Sequence, residues 1–211
     1  MVLRPMTRDD FPALAIWLRA PHVEAWFPWV HGQATPTGAV EAEYGPCIDG
    51  IDPTELFVIE TEGRPVGFMQ RYRISDNPSW AAALSAAGEL GGAAGELGGV
   101  AGELGGAAVP AGTGAAVGFD YAIGVLDAIG GGVGTEAIRQ LLADTFGRYP
   151  DVDSVIVAMQ QANRASWRAL ERVGFGRRWA GLLESSDPSD AGPSYIYVIS
   201  RDPAGGMTVG A

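Results

Sequence analysis

The stretch Ile129-Gly130-Gly131-Gly132-Val133-Gly134-Thr135 decides the fold. It follows a run with the composition of a strand, Val117 to Leu126, and leads into a run with the pattern of a helix, Gly134 to Arg148. Four glycines in five positions leave a turn almost without side chains. Its backbone N–H groups can point at a ligand beside a helix N-terminus, where the helix dipole favours negative charge. The stretch therefore predicts a cradle for a diphosphate group.

Three other interpretations of the glycines were considered. A Walker loop requires a lysine, and all fourteen basic residues of this chain are arginine. A dinucleotide fingerprint fits Gly132 to Ala137, but its acidic partner should end the next strand. Asp151 and Asp153 precede that strand and would lie at the wrong edge of the sheet. A plain glycine-rich turn between a strand and a helix stays open as the third interpretation.

Length and composition limit the class of protein. The chain has 211 residues, which is about one domain, and 47% of them are hydrophobic. No apolar run approaches the roughly 18 residues of a membrane span, and no export signal is indicated. A single cysteine, Cys47, excludes a disulfide framework, and two histidines make a histidine-rich metal site improbable. We expect a cytoplasmic protein with no metal and no membrane partner.

The charges are unevenly distributed. The formal net charge is −11, and most of the excess acid lies in the first 117 residues. An acidic protein repels nucleic acid and attracts cations, so we expect a small cationic partner and no nucleic acid. From Arg164 to Arg178, however, five arginines accompany one glutamate. This local patch indicates an anionic cofactor, although acidity elsewhere can simply serve solubility.

Residues 86–106 interrupt the alternation of strands and helices with three near-identical heptads, AAGELGG, AAGELGG and VAGELGG. Nine glycines cost a helix roughly 9 kcal/mol relative to alanine, which one leucine per heptad does not offset. We therefore predict a flexible insertion at about 81–116, inside one domain that spans residues 1–201. Residues 202–211 are predicted to be a loose tail.

A second motif runs from Gln161 to Phe175. Asn163 is a good N-cap for the helix that follows it. Arg164, Arg168 and Arg172 recur at every fourth position and so share one stripe of that helix. Taken alone, the stripe is a basic solvated face.

Together the two motifs resemble the GNAT superfamily of acyl-CoA-dependent N-acetyltransferases. The family motif Q/R-x-x-G-x-G/A is matched by Gly132 and Gly134, with Ile129 in the place of Gln or Arg. Further segments resemble the aminoglycoside 6′-N-acetyltransferases. They are LRPMT near the N-terminus, a WL…PHV…WF segment, EGRPVGFMQRY, GFD before the glycine turn, and a turn around Asp190 before the last strand. The resemblance implies an α/β (α+β) fold with a mixed central sheet of six to seven strands. That sheet is splayed at the acetyl-CoA site and flanked by about four helices.

The resemblance also implies a site. Backbone groups of Ile123 and Gly124 would bind the pantetheine arm, Asn163 would contact the cofactor near it, and Arg168 would meet a phosphate. The diphosphate would be held by the glycine turn: Ile129, Gly130, Gly131, Gly132, Val133, Gly134 and Thr135. Asp120 would bind the substrate ammonium and accept its proton. The acceptor cleft would be lined by Trp26, Asp76, Trp80, Asp120 and Asp190.

The leaving thiolate raises a separate question. Leu170 stands where the family often has a tyrosine that protonates this group, so the thiolate leaves unassisted or another group, such as Ser166, acts. Transfer to an aminoglycoside 6′-amine, giving antibiotic resistance, is the favoured activity. The alternatives are another amine, such as a kasugamycin-like 2′-amine, a siderophore amine or a protein N-terminus, and a non-catalytic acetyl-CoA-binding module. We expect a monomer or a homodimer.

Overall fold

The computed structural model describes residues 1–27, 36–94, 115–185 and 190–201. The chain separates into two compact units. The first unit comprises Met1–Tyr72 with Phe119–Asp144, and the second comprises Arg73–Gly118 with Thr145–Ala211. Whether the chain acts as the single domain expected from its sequence stays a prediction.

The first unit is built on antiparallel strands. They are β1 (Val2–Pro5), β2 (Glu55–Thr61), nearly all of β3 (Arg64–Arg73) and most of β4 (Ala116–Ile123). β1 pairs with β2, which places Leu3 opposite Ile59. β2 continues into β3 through Glu62 and Gly63, whose φ angles are +52° and +76°. Two consecutive positive φ angles suit the tight turn that matches strand twist, so Glu62 and Gly63 form a hairpin turn.

The helices of the first unit cover these strands with apolar side chains. They are α1 (Phe11–Leu18), α2 (Pro21–Glu24), α3 (Pro36–Ile48) and most of α5 (Val133–Arg148). A capping box precedes α1: the amide of Thr7 donates to Asp10 at 2.9 Å, and Arg4 pairs with the same carboxylate at 2.7 Å. Leu14 and Phe68 are among the fully buried side chains of this core. Each such side chain contributes about 1.5–3 kcal/mol by leaving water.

The second unit contains three antiparallel strands and two complete helices. They are α4 (Pro78–Ala94), β5 (Ser154–Gln160), α6 (Arg164–Val173), β6 (Gly176–Leu182) and β7 (Pro193–Ser200). β7 pairs along its whole length with β5, from Ser154 opposite Ser200 to Gln160 opposite Ser194, and its other edge pairs with β6. Ile156, Ile196 and Val198 are buried in the core of this unit.

The seven strands follow the order β1-β2-β3-β4-β5-β7-β6, so the mixed sheet expected from the sequence is confirmed. β4 and β5 are parallel, and their ladder consists of two residue pairs, Ala116 with Ser154 and Val117 with Val155. The ladder therefore ends six residues before β4 does, as expected of a sheet that splays at this point. The described residues contain six α-helices. The sequence predicted about four helices. Helix α4 and the four-residue helix α2 are additional to these.

Helix α4 differs from the sequence expectation. The flexible insertion was predicted to begin at about residue 81, yet the helix continues to Ala94 and includes the first heptad. The reason lies upstream, where alanines favour the helix and Leu84 and Ala87 are buried in the core of the second unit. The rest of the repeat, residues 95–106, and the predicted tail, 202–211, lie outside the described residues.

Candidate active site

The glycine turn has the backbone that the sequence indicated. After β4 ends at Ile123, a short 3-10 turn (Leu126–Ala128) leads to Gly130 and Gly132, whose φ angles are +87° and +82°. Residues with a side chain rarely adopt these values, so glycine is required at both positions. Among the described residues, nothing lies within 4 Å of a Cβ placed on either one. The turn is therefore both bare and open on its outer side.

Helix α5 begins directly after this turn. The amide of Glu136 donates to the carbonyl of Gly132 at 3.0 Å. By helix geometry the amides of Val133, Gly134 and Thr135 precede any intrahelical acceptor, and they point out of the N-terminal end. Thr135 is buried, whereas Gly131 and Gly132 are exposed. This arrangement can hold an anion, because the amides and the helix dipole both favour negative charge.

Tyr121 is a residue of this region that the sequence did not single out. Its ring edge lies 3.0 Å from the position that a Cβ at Gly134 would take, and its hydroxyl lies 3.5 Å from that position. A side chain at position 134 would therefore press tightly on this ring. An alternating strand pattern cannot reveal such a contact, because residue 121 reaches α5 only through the fold.

The end of β4 is held by two side chains from the first helices. The ring of Trp17 occupies the space that a side chain at Gly124 would need. His22 Nε2 lies 2.9 Å from the carbonyl oxygen of Ile123. Since a carbonyl only accepts, Nε2 is the protonated nitrogen of this ring. The amide of Gly124 donates to the carbonyl of Val66 at 2.8 Å, so this amide, expected to bind pantetheine, already has a partner within the protein.

Asp120 lies on β4, three residues before the strand ends, and is half-buried. Its Oδ2 accepts a hydrogen bond of 2.8 Å from the side-chain amide of Gln70 on β3. Tyr44 of α3 is buried close by. Burial raises the pKa of the Tyr44 phenol, and the negative charges of Glu43 and Asp120 raise it further. The phenol therefore stays protonated at neutral pH.

Aromatic side chains line the same part of the first unit. Phe68 packs against Phe27 at 5.7 Å and against Tyr44 at 6.3 Å between ring centroids. Trp26, the aromatic residue chosen from the sequence, is half-buried and immediately precedes Phe27. A role of Trp26 in the acceptor cleft stays a prediction; the ring that packs against Phe68, at a tilted angle, is that of Phe27.

Cys47, the single cysteine, packs against the apolar core of the first unit. Burial, followed by the charges of Asp52 and Glu43, raises the pKa of its thiol to about 11. Because the thiolate is the reactive form, this cysteine is a poor nucleophile at neutral pH.

The second motif contains the whole of α6 and lies in the second unit. Asn163 is the N-cap, as expected, and its side-chain oxygen accepts from the amide of Ser166 at 3.3 Å. Arg168 is exposed, with its guanidinium 5.5 Å from the centre of the Trp167 ring. Leu170 is completely buried. Position 170 therefore serves the core, and its side chain has no proton to give.

The remaining residues chosen for the acceptor cleft also lie in the second unit. Asp76 is exposed in a 3-10 turn, and Asp190 is half-buried just before β7. Trp80 packs against the apolar core of this unit, and its buried indole N–H has no hydrogen-bond partner among the described residues. Trp26, Asp120 and the glycine turn belong instead to the first unit.

The two aspartates that a dinucleotide fingerprint would require make other contacts in the structure. Asp151 pairs with Arg73 at 2.6 Å, and the amide of Asp153 donates to the carbonyl of Ala115 at 2.9 Å. Both residues precede β5, which ends at Gln160. The strand that follows the glycine turn thus ends without the acidic residue that a ribose requires.

Two searches cover only the part of the chain that the structure describes. Within it, no three histidine, cysteine or acidic side chains are grouped so that they could bind a metal ion. None of the helices in these described ranges has the length and hydropathy needed to cross a bilayer.

Proteins of known activity and known structure are similar to this chain over most of its length. The chain is 24% identical over 203 residues to an aminoglycoside N(6′)-acetyltransferase type 1 of Klebsiella pneumoniae, covering 95% of this chain and 83% of the relative. It is similar to a solved structure of AAC(6′)-Ib in complex with paromomycin and acetyl-CoA, at a TM-score of 0.68 and 21% identity, over 95% and 93% of the two chains. A complex of the aminoglycoside acetyltransferase AAC(6′)-Ib with coenzyme A and kanamycin gives a TM-score of 0.69 and 20% identity, over 95% and 94%.

The chain also matches a model of a protein family. The model of the acetyltransferase (GNAT) domain matches residues 6–180, which is most of the sequence. The match includes both motifs, the glycine turn and the segment that begins at Asn163. The chain therefore belongs to the GNAT family of acetyltransferases.

Proposed function

We propose that this chain transfers the acetyl group of acetyl-CoA to a primary amine of an aminoglycoside, with the 6′-amine favoured, and thereby gives antibiotic resistance. One observation carries the proposal: a single continuous segment, from Asp120 on β4 to Thr135 on α5, holds a carboxylate and a bare anion cradle. Acetyl transfer to an amine needs both, because the amine must lose a proton and the acetyl donor carries a diphosphate.

The cradle fits a diphosphate better than it fits a plain turn. Gly130 and Gly132 have positive φ angles, and a Cβ at Gly134 would press on Tyr121. The amides at the start of α5 can then approach the phosphate oxygens closely. Asn163 and Arg168 are proposed to bind further parts of the same co-substrate. The basic stripe of α6 suits the phosphate charges, since guanidinium groups bind phosphates well.

The chemistry needs one base. An ammonium group cannot attack a thioester, so Asp120 accepts a proton from it, directly or through water. The amine nitrogen then bonds to the carbonyl carbon, the carbon–sulfur bond breaks, and the electron pair leaves with sulfur. The products are an amide, coenzyme A and one proton. Leu170 cannot protonate the thiolate, so either the thiolate leaves unassisted or Ser166 supplies the proton.

The acceptor is proposed to be cationic. The first unit has an aromatic cluster beside Asp120 and an excess of acidic residues, and both attract polyamines through cation–π and charge interactions. Trp26, Asp76, Trp80 and Asp190 are proposed to add to this cleft. A cytoplasmic location, with no nucleic-acid or membrane partner, fits the same chemistry. We expect a monomer or a homodimer.

A thiol-release assay tests the proposal. The protein is incubated with acetyl-CoA and, separately, with kanamycin-type aminoglycosides, a kasugamycin-like aminoglycoside, linear polyamines and peptides with a free N-terminus. We expect release with aminoglycosides that carry a 6′-amine, and no release with analogues that have a 6′-hydroxyl. Release with peptides alone would assign the fold to a protein acceptor. Binding of acetyl-CoA without release on any acceptor would favour the non-catalytic module.

The thiol of the protein itself can react with the reagent used in this assay. Cys47 is the only cysteine of the chain, and its raised pKa makes its own reaction with a thiol reagent slow. A Cys47→Ser variant removes this background. The same rate of coenzyme A release in both proteins shows that the signal comes from the co-substrate.

A further inference from the structure

The contact between Gln70 and Asp120 joins two neighbouring strands at the proposed base. The distance between Gln70 Nε2 and Asp120 Oδ2 is 2.8 Å, and both side chains are half-buried. An ionised carboxylate has no proton to donate, so the amide must present its NH₂ group to it. Such a hydrogen bond stabilises the charged form of the acid, which is the form that accepts a proton.

The strand that carries Gln70 is fixed on both sides. Gln70 pairs with Leu56 in the β2–β3 ladder. Gly67, three residues earlier, leaves room for the carbonyl of Ala122, because a Cβ there would overlap this oxygen of β4. β3 and β4 can therefore lie close together, and Gln70 reaches the carboxylate without distortion.

The next residue, Arg71, fixes the orientation of the strand. Its guanidinium is 1% exposed and pairs with Glu55 at 2.6 Å and with Asp144 of α5 at 2.7 Å. Successive side chains of a strand point to opposite faces. Because Arg71 is bound on the face of α5, Gln70 is directed to the other face, towards Asp120.

The face that Gln70 shares with Asp120 is largely apolar. Phe68 and Ala122, each two residues from one of the pair, are buried in the core formed with α1 and α3. The titratable groups of the neighbouring helices are Tyr44, Glu43 and Cys47 on α3 and His22 on α2. The uncharged side-chain amide of Gln70 donates to this carboxylate from the neighbouring strand at 2.8 Å.

We propose that Gln70 is a positioning residue for the acetyl-transfer reaction, which orients the carboxylate of Asp120 and keeps it ionised so that it can accept the proton of the substrate ammonium. The inference rests on the proposed function, because it assigns a partner to the proposed base. Gln70 itself exchanges no proton. Its effect on catalysis acts through the protonation and the geometry of Asp120.

Two substitutions separate these effects. Gln70→Leu removes the donor and leaves a side chain of similar size. Gln70→Glu replaces the donor by a second carboxylate beside Asp120. Two carboxylates at this distance share a proton, so the pair ionises fully only at higher pH. Gln140→Leu is the matched control, because Gln140 lies in the same unit and bonds to the amide of Leu3 rather than to Asp120.

The first measurement is the pH profile of kcat/KM for an aminoglycoside. In Gln70→Leu we expect the acidic limb to move up by about one pH unit, so that kcat/KM at a given pH on that limb falls about tenfold. In Gln70→Glu the shift should be larger, with activity recovering as the pH rises. In Gln140→Leu the limb should stay where it is. The pKa of the acceptor amine is common to all variants, so the differences report the enzyme.

The second measurement does not depend on turnover. The carboxyl carbon of Asp120, assigned by its loss in Asp120→Asn, is followed by NMR against pH in the wild type and in Gln70→Leu, after circular dichroism has shown that both are folded. An upward shift of its titration supports the inference. An unchanged titration overturns it, even where Asp120→Asn is inactive. Failure of the wild type to acetylate any amine would instead sink the proposed function and leave this titration as the test of the contact.

Discussion

The two regions proposed to take part in acetyl transfer are supported in different ways. Asp120 lies on a strand, is bonded to the neighbouring strand and sits beside a buried core. Arg168 lies on the outer face of α6, where its guanidinium rests over Trp167 and is exposed. A proton transfer requires a fixed position for the base, whereas a phosphate can be met by a mobile cation. We therefore expect substitutions in the first region to change the rate steeply and those on the outer face of the second to change affinity modestly.

The largest effect is expected on stability, at the inner face of α6. Leu170→Ala leaves a cavity in the second unit where the side chain is completely buried. We expect a loss of about 2–5 kcal/mol in the free energy of unfolding, measured by urea denaturation. Leu182→Ala is the matched control, because Leu182 belongs to the same unit and is 68% exposed. If Leu170→Ala costs no more than this control, position 170 is not a packing position.

The next effect concerns the proposed base. Asp120→Asn keeps the shape of the side chain and removes its basicity, so kcat/KM for the aminoglycoside should fall at least about tenfold. The dissociation constant for acetyl-CoA should stay within about twofold, because the cradle is unchanged. Asp49→Asn removes an exposed carboxylate of the same unit, paired with Arg8 at 2.8 Å, and should keep full activity. Unchanged kinetics in Asp120→Asn would remove Asp120 from the mechanism.

The third effect tests the glycine turn. In Gly134→Val the new Cβ lies 3.0 Å from the ring of Tyr121, so this ring or the start of α5 must give by a few tenths of an ångström. We expect the KM for acetyl-CoA to rise about tenfold with a smaller change in kcat. Adding Tyr121→Ala removes the obstacle and should recover part of the loss. Gly147→Val, on the same helix where a Cβ meets nothing described within 4 Å, should leave the KM unchanged.

These positions also indicate what could be predicted from sequence alone. The glycine turn, the N-cap Asn163 and the hairpin turn at Glu62 were predictable, because each depends on a few neighbouring residues and on backbone geometry. The contacts of Tyr121 with Gly134 and of Gln70 with Asp120 were not, since they depend on the register of strands far apart in the chain. The glycines of the repeat predicted a flexible segment, whereas the burial of Leu84, which sequence alone does not show, favours helix α4.

The smallest effect is expected on the exposed face of α6. Arg168→Ala removes one cation near the co-substrate, and an exposed charge pair contributes about 1 kcal/mol or less. We expect the KM for acetyl-CoA to rise about threefold at low salt, with kcat unchanged, and the difference to shrink as salt screens the charge. Arg19→Ala, at the C-terminal end of α1 in the first unit, is the control for a lost surface arginine. A large fall in kcat would contradict the contrast between the two regions. It would mean that this helix face, like β4, must hold its side chains in fixed positions during the reaction.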